Sequence, residues 1–265
     1  MPTPAAGTLA EVLKPVTDDP RHAGIFLDVD GTLAPIVGRA EDAHVPEKTS
    51  RALAALARHY GCVACISGRA ATEARRLVGV GGIAYAGSHG AELLEPGSSK
   101  PTVLPAFATW APRVREFAAA RDERDLRLLR IRIEDKGPIV ALHWRGVPDE
   151  DAARTRLEGV AQEAEAEGLA IHWGRKVLEI RPPVEVHKGQ AVTELVRRHD
   201  LTAALFAGDD ATDLDAFDAL DALPAAVRVG VRSDEGPAAI VERADLVVDG
   251  PEGFVAVLAA LAPSP

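Results

Sequence analysis

Residues 23–28, AGIFLD, are apolar for five positions and end on an acid. A half-exposed strand would alternate apolar with polar. An unbroken run this short predicts a strand buried on both faces, as in a parallel sheet. A helical pattern follows over 46–60, with Pro46 near its start and Leu53 and Leu56 on one face. The alternation continues with a strand at 62–66, a helix at 70–78 and a strand at 83–86. It returns downstream as helix 188–199, strand 203–207, helix 212–220, strand 227–229, a short helix at 237–242, strand 246–248 and helix 252–261. Such alternation predicts an open parallel sheet covered on both faces.

Between these halves the pattern changes. A helix is expected at 105–121, then strands RIRIED (130–135) and IVALHWR (139–145) joined by a tight turn at Lys136-Gly137-Pro138. An acidic, Ala-rich helix at 149–167 and strands at 170–173 and 176–181 complete an α-β-β-α-β-β series. Hairpins in place of crossovers predict an antiparallel sheet with helices on one face. The fold class is therefore α/β, a parallel-sheet core of residues 1–103 and 185–265 with an inserted α+β cap at 104–184. Residues 98–101 and 182–186 are the candidate hinges. The biased stretch AQEAEAEG suits an exposed helical face.

The 265 residues suffice for one large domain or two modest ones, and a net charge of −10 leaves no basic stripe for a nucleic-acid backbone. A phosphorylated small molecule stays compatible, given local cations. The first residues lack the basic start and apolar block of a signal peptide. The strongest apolar stretch, near 254–262, is about half the ~20 residues that span a bilayer. A soluble, cytoplasmic monomer is expected, without nucleic-acid or membrane partners. Cys62 and Cys65 form the chain's one C-x-x-C. No second pair completes a zinc site, so they are read as core residues on opposite faces of a strand.

Four segments carry candidate chemistry, each after a core strand or at a helix start. In Asp28-Val-Asp30-Gly31-Thr32-Leu33, two acids one residue apart can approach one metal, and Gly31 lets the chain turn sharply. In Ser67-Gly68-Arg69 a hydroxyl at a strand end suits a phosphate oxygen. Lys188-Gly189 opens a helix with a point charge able to bind phosphate. Gly208-Asp209-Asp210-Ala211-Thr212-Asp213 packs three acids into five residues. Taken singly, these also read as a solvated turn, a helix cap, an exposed lysine and a cap cluster. Like charges at ~4 Å repel by about 4 kcal/mol at an effective dielectric near 20, and a divalent cation relieves that repulsion.

In order and position the four segments resemble the motifs of the haloacid dehalogenase superfamily of phosphotransferases. The resemblance implies a HAD-like Rossmannoid core and a type C2B cap. It also implies that Asp28 is the nucleophile, forming an aspartyl-phosphate, and that Asp30 is the acid and base. Thr32 and Ser67 would hold phosphate oxygens, with Lys188 neutralising charge. The expected cofactor is Mg²⁺, held by Asp28, the backbone carbonyl of Asp30 and Asp209, with Asp210 and Asp213 as supporting acids. Hard oxygen donors favour magnesium over zinc.

Alternation in RIRIEDK puts Ile131 and Ile133 on one face and Arg132, Glu134 and Lys136 on the other. Glu179 likewise opposes Leu178 and Ile180. Such a polar sheet face suits a polyhydroxylated ligand, and equally plain solvent. The strings AYAGSHGAE (84–92), IEDKGPIVALHWR (133–145) and KVLEIRPPVEVHKG (176–189) are similar to trehalose-6-phosphate phosphatases. That resemblance implies a sugar-phosphate substrate, trehalose 6-phosphate, with Glu134, Lys136 and Glu179 on the distal glucose. Arg69 is grouped with the substrate-binding residues. His89, Gly90 and Arg145 also match family positions, while Glu92 and His143 are assigned to structure. Trp144, where tyrosine is common, and Val186-His187 depart from the pattern. A phosphatase for sucrose phosphate, glucosylglycerol phosphate or mannosyl phosphoglycerate is the alternative, and a non-catalytic sensor or a phosphomutase would be a different class.

Overall fold

Phe26 shows why residues 23–27 form a strand: it points to one apolar layer while Ile25 and Leu27 point to another, and all three are buried. The computed structural model describes residues 6–37, 43–121, 124–233 and 236–262. The strands are β1 (Ala23–Leu27), β2 (Cys62–Ile66), β3 (Ala84–Gly87), β4 (Glu92–Leu94), β5 (Thr102–Val103), β6 (Arg132–Asp135), β7 (Val140–His143), β8 (Ala170–Gly174), β9 (Val177–Arg181), β10 (Ala203–Gly208), β11 (Ala225–Arg232) and β12 (Leu246–Asp249). The chain divides into two compact units, 1–101 with 186–265, and 102–185.

In the first unit the sheet runs β12-β11-β10-β1-β2-β3-β4. Every pair is parallel except β3 with β4. The helices Ala6–Thr17, Glu47–Leu56, Ala71–Val78 and Gly250–Leu261 bury Leu13, Leu53, Ala74 and Val257 in one layer. The helices Lys188–Arg198, Leu214–Ala219 and Ala238–Glu242 bury Leu195, Phe217 and Ile240 in the other. Neither Ala6–Thr17 nor β4 was expected from the pattern. β4 is three residues long, too short for a periodicity to show. The first unit is an α/β core, a mostly parallel sheet between two helical layers, and the second is an α+β insertion in its sequence.

Cys62 and Cys65 lie in opposite layers. Both thiols are free, and burial pushes them up, Cys62 to about 12. Both are protonated core residues at neutral pH.

The second unit holds an antiparallel sheet in the order β6-β7-β9-β8. Helices Ala111–Ala120 and Glu150–Ala166 pack Phe117, Leu157 and Val160 against Leu142, Leu178 and Ile180 on one face. The helix expected at 105–121 is broken into Pro105–Ala108 and Ala111–Ala120. Pro112 is the physical reason: it has no N–H to donate and its ring would meet the carbonyl of Ala108, so it is tolerated only in a first turn. Asp149 caps the long helix by accepting from Ala152 N at 2.9 Å. Among the described residues, no helix is long and apolar enough to cross a membrane.

Candidate active site

The strand order reverses at β1, which has β2 on one side and β10 on the other, and open α/β sheets bind ligands at such points. β1 delivers Asp28 there, and β10 delivers Asp209. Gly31 makes their approach possible. Its φ is +93°, and a Cβ placed on it would lie 2.2 Å from Asp209 Oδ2. Gly31→Ala is expected to cost more than about 1 kcal/mol and to abolish turnover, because the two acidic loops must part. A denaturation midpoint and a turnover assay check both.

Asp28, Asp209 and Asp213 each present a carboxylate oxygen within 4.8 Å of the others, and all three are buried. Lys188 Nζ donates to Asp28 Oδ1 at 2.6 Å and to Asp213 Oδ1 at 2.7 Å. Burial works against the charge on Lys188, but Asp213 and Asp28 outweigh it and hold its pKa well above the ordinary lysine value. Burial raises Asp28 well above the usual carboxylate range against the pull of Lys188, with Asp213 and Asp209 adding to the rise. Asp209 is pushed up to about 7, first by burial and then by Asp213.

Among the described residues Lys188 is the one cation hydrogen-bonded to these three acids, which leaves the cluster short of positive charge. Asp209 Oδ1 is buried and has no hydrogen-bond partner, an arrangement that is costly unless something else satisfies it. The donors are all carboxylate oxygens, the set a hard divalent cation takes. The cluster can hold a metal ion.

Asp213 serves this site from behind. Its Oδ2 accepts the backbone N–H of Asp209 at 3.0 Å and of Asp210 at 2.9 Å, which fixes the loop. Asp210 lies outside the cluster: it is exposed and accepts from Ala211 N at 2.5 Å as a helix cap.

The Thr32 hydroxyl is fully buried without a partner, so an acceptor or donor from a ligand is wanted there too. Ser67, also buried, accepts from Arg69 N at 3.1 Å. The turn after β3 clamps this loop, through Ser88 N to Arg69 O at 2.7 Å and His89 N to Ser67 O at 2.9 Å. Ser88 and His89 both have positive φ, 51° and 60°, a strained pair of the kind found at functional sites. The His89 ring fills the space a side chain at Gly68 would occupy. Glu92 is buried and accepts from Ala71 N at 2.7 Å, capping the helix Ala71–Val78. Arg69 Nε and Nη2 grip the two oxygens of Asp30, each at 2.7 Å, while Nη1 donates to Glu73 at 2.7 Å.

In the second unit, strand register puts Arg132, Glu134, His143, Glu179 and His172 on the sheet face opposite the helices. His143 Nε2 lies 2.6 Å from Glu134 Oε2, and this hydrogen bond holds Glu134 below the usual carboxylate value. Lys136 Nζ donates to Glu179 Oε1 at 3.0 Å, and Arg181 Nε to Glu179 Oε2 at 3.0 Å. Arg145 pairs with the Arg175 carbonyl, apart from this group.

Glu73 and Arg181 carry no motif that marks them in the sequence. The available signals were the i,i+4 spacing of Glu73 from Arg69 and the same-face i,i+2 spacing of Arg181 from Glu179.

A family model described as Trehalose-phosphatase matches residues 26–243. The trehalose-phosphate phosphatase of Mycolicibacterium paratuberculosis is 35% identical over 240 residues, covering 83% of this chain and 58% of that protein. A 38% identical protein of Mycobacterium tuberculosis, named an uncharacterized glycosyl hydrolase, is matched over 76% of this chain and 15% of its own length. The chain thus spans little more than half of one such relative and a small part of another. A crystal structure of a trehalose-6-phosphate phosphatase related protein superposes with a TM-score of 0.70 at 24% identity, covering 89% of this chain and 95% of that one. A haloacid dehalogenase-like hydrolase from Bacteroides thetaiotaomicron gives 0.62 at 15% identity, over 90% and 98%. These two likenesses concern the fold.

Proposed function

The chain belongs to the trehalose-phosphatase family, and we propose that it hydrolyses trehalose 6-phosphate to trehalose and inorganic phosphate. The observation that supports this most is the convergence of Asp28, Asp209, Asp213 and Lys188, with two buried hydroxyls, Thr32 and Ser67, on the loops that follow the neighbouring strands β1 and β2.

In this reading an Asp28 carboxylate oxygen attacks phosphorus in line, the P–O bond to the sugar breaks, and an aspartyl-phosphate forms. Asp30 gives a proton to the departing sugar oxygen. It then takes one from the water that attacks the aspartyl-phosphate, which frees Asp28 and phosphate. Thr32 and Ser67 hold phosphoryl oxygens, and Lys188 places a fixed positive charge beside the nucleophile. Mg²⁺ is the ion we assign to the acidic cluster: Asp28, Asp209 and the backbone carbonyl of Asp30 would hold it, with Asp213 supporting the loop. When bound it supplies charge neutralisation that lets an anion approach a dianion.

The sugar is assigned to Glu134, Lys136 and Glu179. Their hydrogen bonds support this, since a Glu134 already held by His143, and a Lys136 and Glu179 held by each other and by Arg181, lose little freedom on meeting hydroxyls. Phosphate release across a panel of sugar phosphates tests the reading. Trehalose 6-phosphate should be cleaved with kcat/KM at least about tenfold above sucrose phosphate, glucosylglycerol phosphate and glucose 6-phosphate, a ratio worth about 1.4 kcal/mol. Glu179→Ala should erase that preference. Faster cleavage of another ester would reassign the substrate.

A further inference from the structure

Asp30 is the one acid of the first motif that does not face the lysine. Both its oxygens are taken by Arg69, through Nε and Nη2 at 2.7 Å each. A side-on fork of this kind fixes the carboxyl plane as well as its place. It leaves open lone-pair positions on each oxygen, because a carboxylate offers about four acceptor sites. Arg69 is itself anchored, since Nη1 donates to Glu73 Oε1 at 2.7 Å in the first turn of Ala71–Val78. Its backbone carbonyl is tied to Ser88 N at 2.7 Å and its backbone N–H to Ser67 Oγ at 3.1 Å. The Arg69 side chain is 11% exposed and that of Asp30 37%, so the fork is sheltered while the carboxyl edge stays open.

We infer that Arg69 is a positioning residue for proton transfer: with Glu73 behind it, it sets the plane and reach of the Asp30 carboxyl toward the leaving oxygen. This differs from a direct contact with the substrate, and it rests on the reading of Asp30 as the acid. Proton donation matters when the leaving group is a sugar alkoxide. It matters little for p-nitrophenolate, which departs without a proton. A residue that acts through Asp30 must therefore share its leaving-group dependence, whereas one that grips phosphate must affect both esters alike.

The test compares kcat/KM for trehalose 6-phosphate and p-nitrophenyl phosphate in the full chain with magnesium. It uses Asp30→Asn, Arg69→Gln, Arg69→Lys, Glu73→Gln and the double variant Asp30→Asn/Arg69→Gln. Arg69→Gln is expected to lose at least about tenfold more on the sugar ester than on the aryl ester, with Glu73→Gln smaller in the same direction. The double variant should be no slower on the sugar ester than Asp30→Asn alone, as for residues that act as a unit. Equal losses on both esters, no loss, or multiplicative losses in the double variant would overturn the inference. Thermal melting of each variant separates misfolding from these outcomes, and Arg69→Lys, which keeps the charge without the fork, serves if the glutamine variant does not fold. If Asp30→Asn itself treats both esters alike, the assignment of the acid fails instead.

Discussion

Asp28→Asn should lose turnover by about 10⁴-fold or more, the scale seen when a nucleophile is removed, while the protein stays folded. The amide matches the carboxylate in size but is a poor nucleophile. Lys188 keeps its second partner, Asp213 Oδ1 at 2.7 Å, so no buried charge is orphaned. The substitution also removes one of three acids that crowd within 4.8 Å. The variant without divalent ions should therefore melt no lower than the parent. Phosphate release and a melting curve in chelator check both halves. A surviving rate would remove Asp28 from the nucleophile's role, and a collapse in melting temperature would mean that Asp28 is held for structure.

Lys188→Met should cost both activity and stability. The lysine is the buried cation between Asp28 and Asp213. Removing one partner of a buried pair costs about 3–5 kcal/mol, because the other charge remains. The sign with pH follows from Asp209, whose folded value of about 7 stands above an unfolded aspartate near ~3.9. The folded state binds more protons between those values, so stability falls as pH rises through them. Without Lys188 that fall should steepen. A divalent cation binds only the folded cluster and should restore part of the loss by mass action. Melting temperatures at pH 5 and 8, with chelator and with magnesium, measure each arm. A variant equally stable at both pH values and indifferent to magnesium would show that the acids do not depend on a shared cation.

The first unit was legible because burial on two faces writes itself as unbroken apolar runs. AGIFL, CVACI and AALFAG each became a strand within a residue or two of the expected span. The hairpins of the second unit were legible through their alternation: Ile133 pairs with Leu142 on the face that packs on helices, and Glu134 with Ala141 on the other. Boundaries failed where a local rule competed with the pattern, as Pro112 does in the broken helix.

The sequence by itself determined which residue types stand at the strand ends, since a polar group ending an apolar run has nowhere to go but the end of the sheet where the strands stop. It determined the acids at 28, 30, 209 and 213, the hydroxyls at 32 and 67, and the lysine that opens a helix. Only the tertiary structure decided their partners. Lys188 lies 160 residues from Asp28 in sequence, Arg69 could have turned to solvent instead of Asp30, and Asp210 rather than Asp213 could have faced the cluster. Those choices depend on distances between loops carried by different strands, and no periodicity along a chain encodes a distance across a sheet.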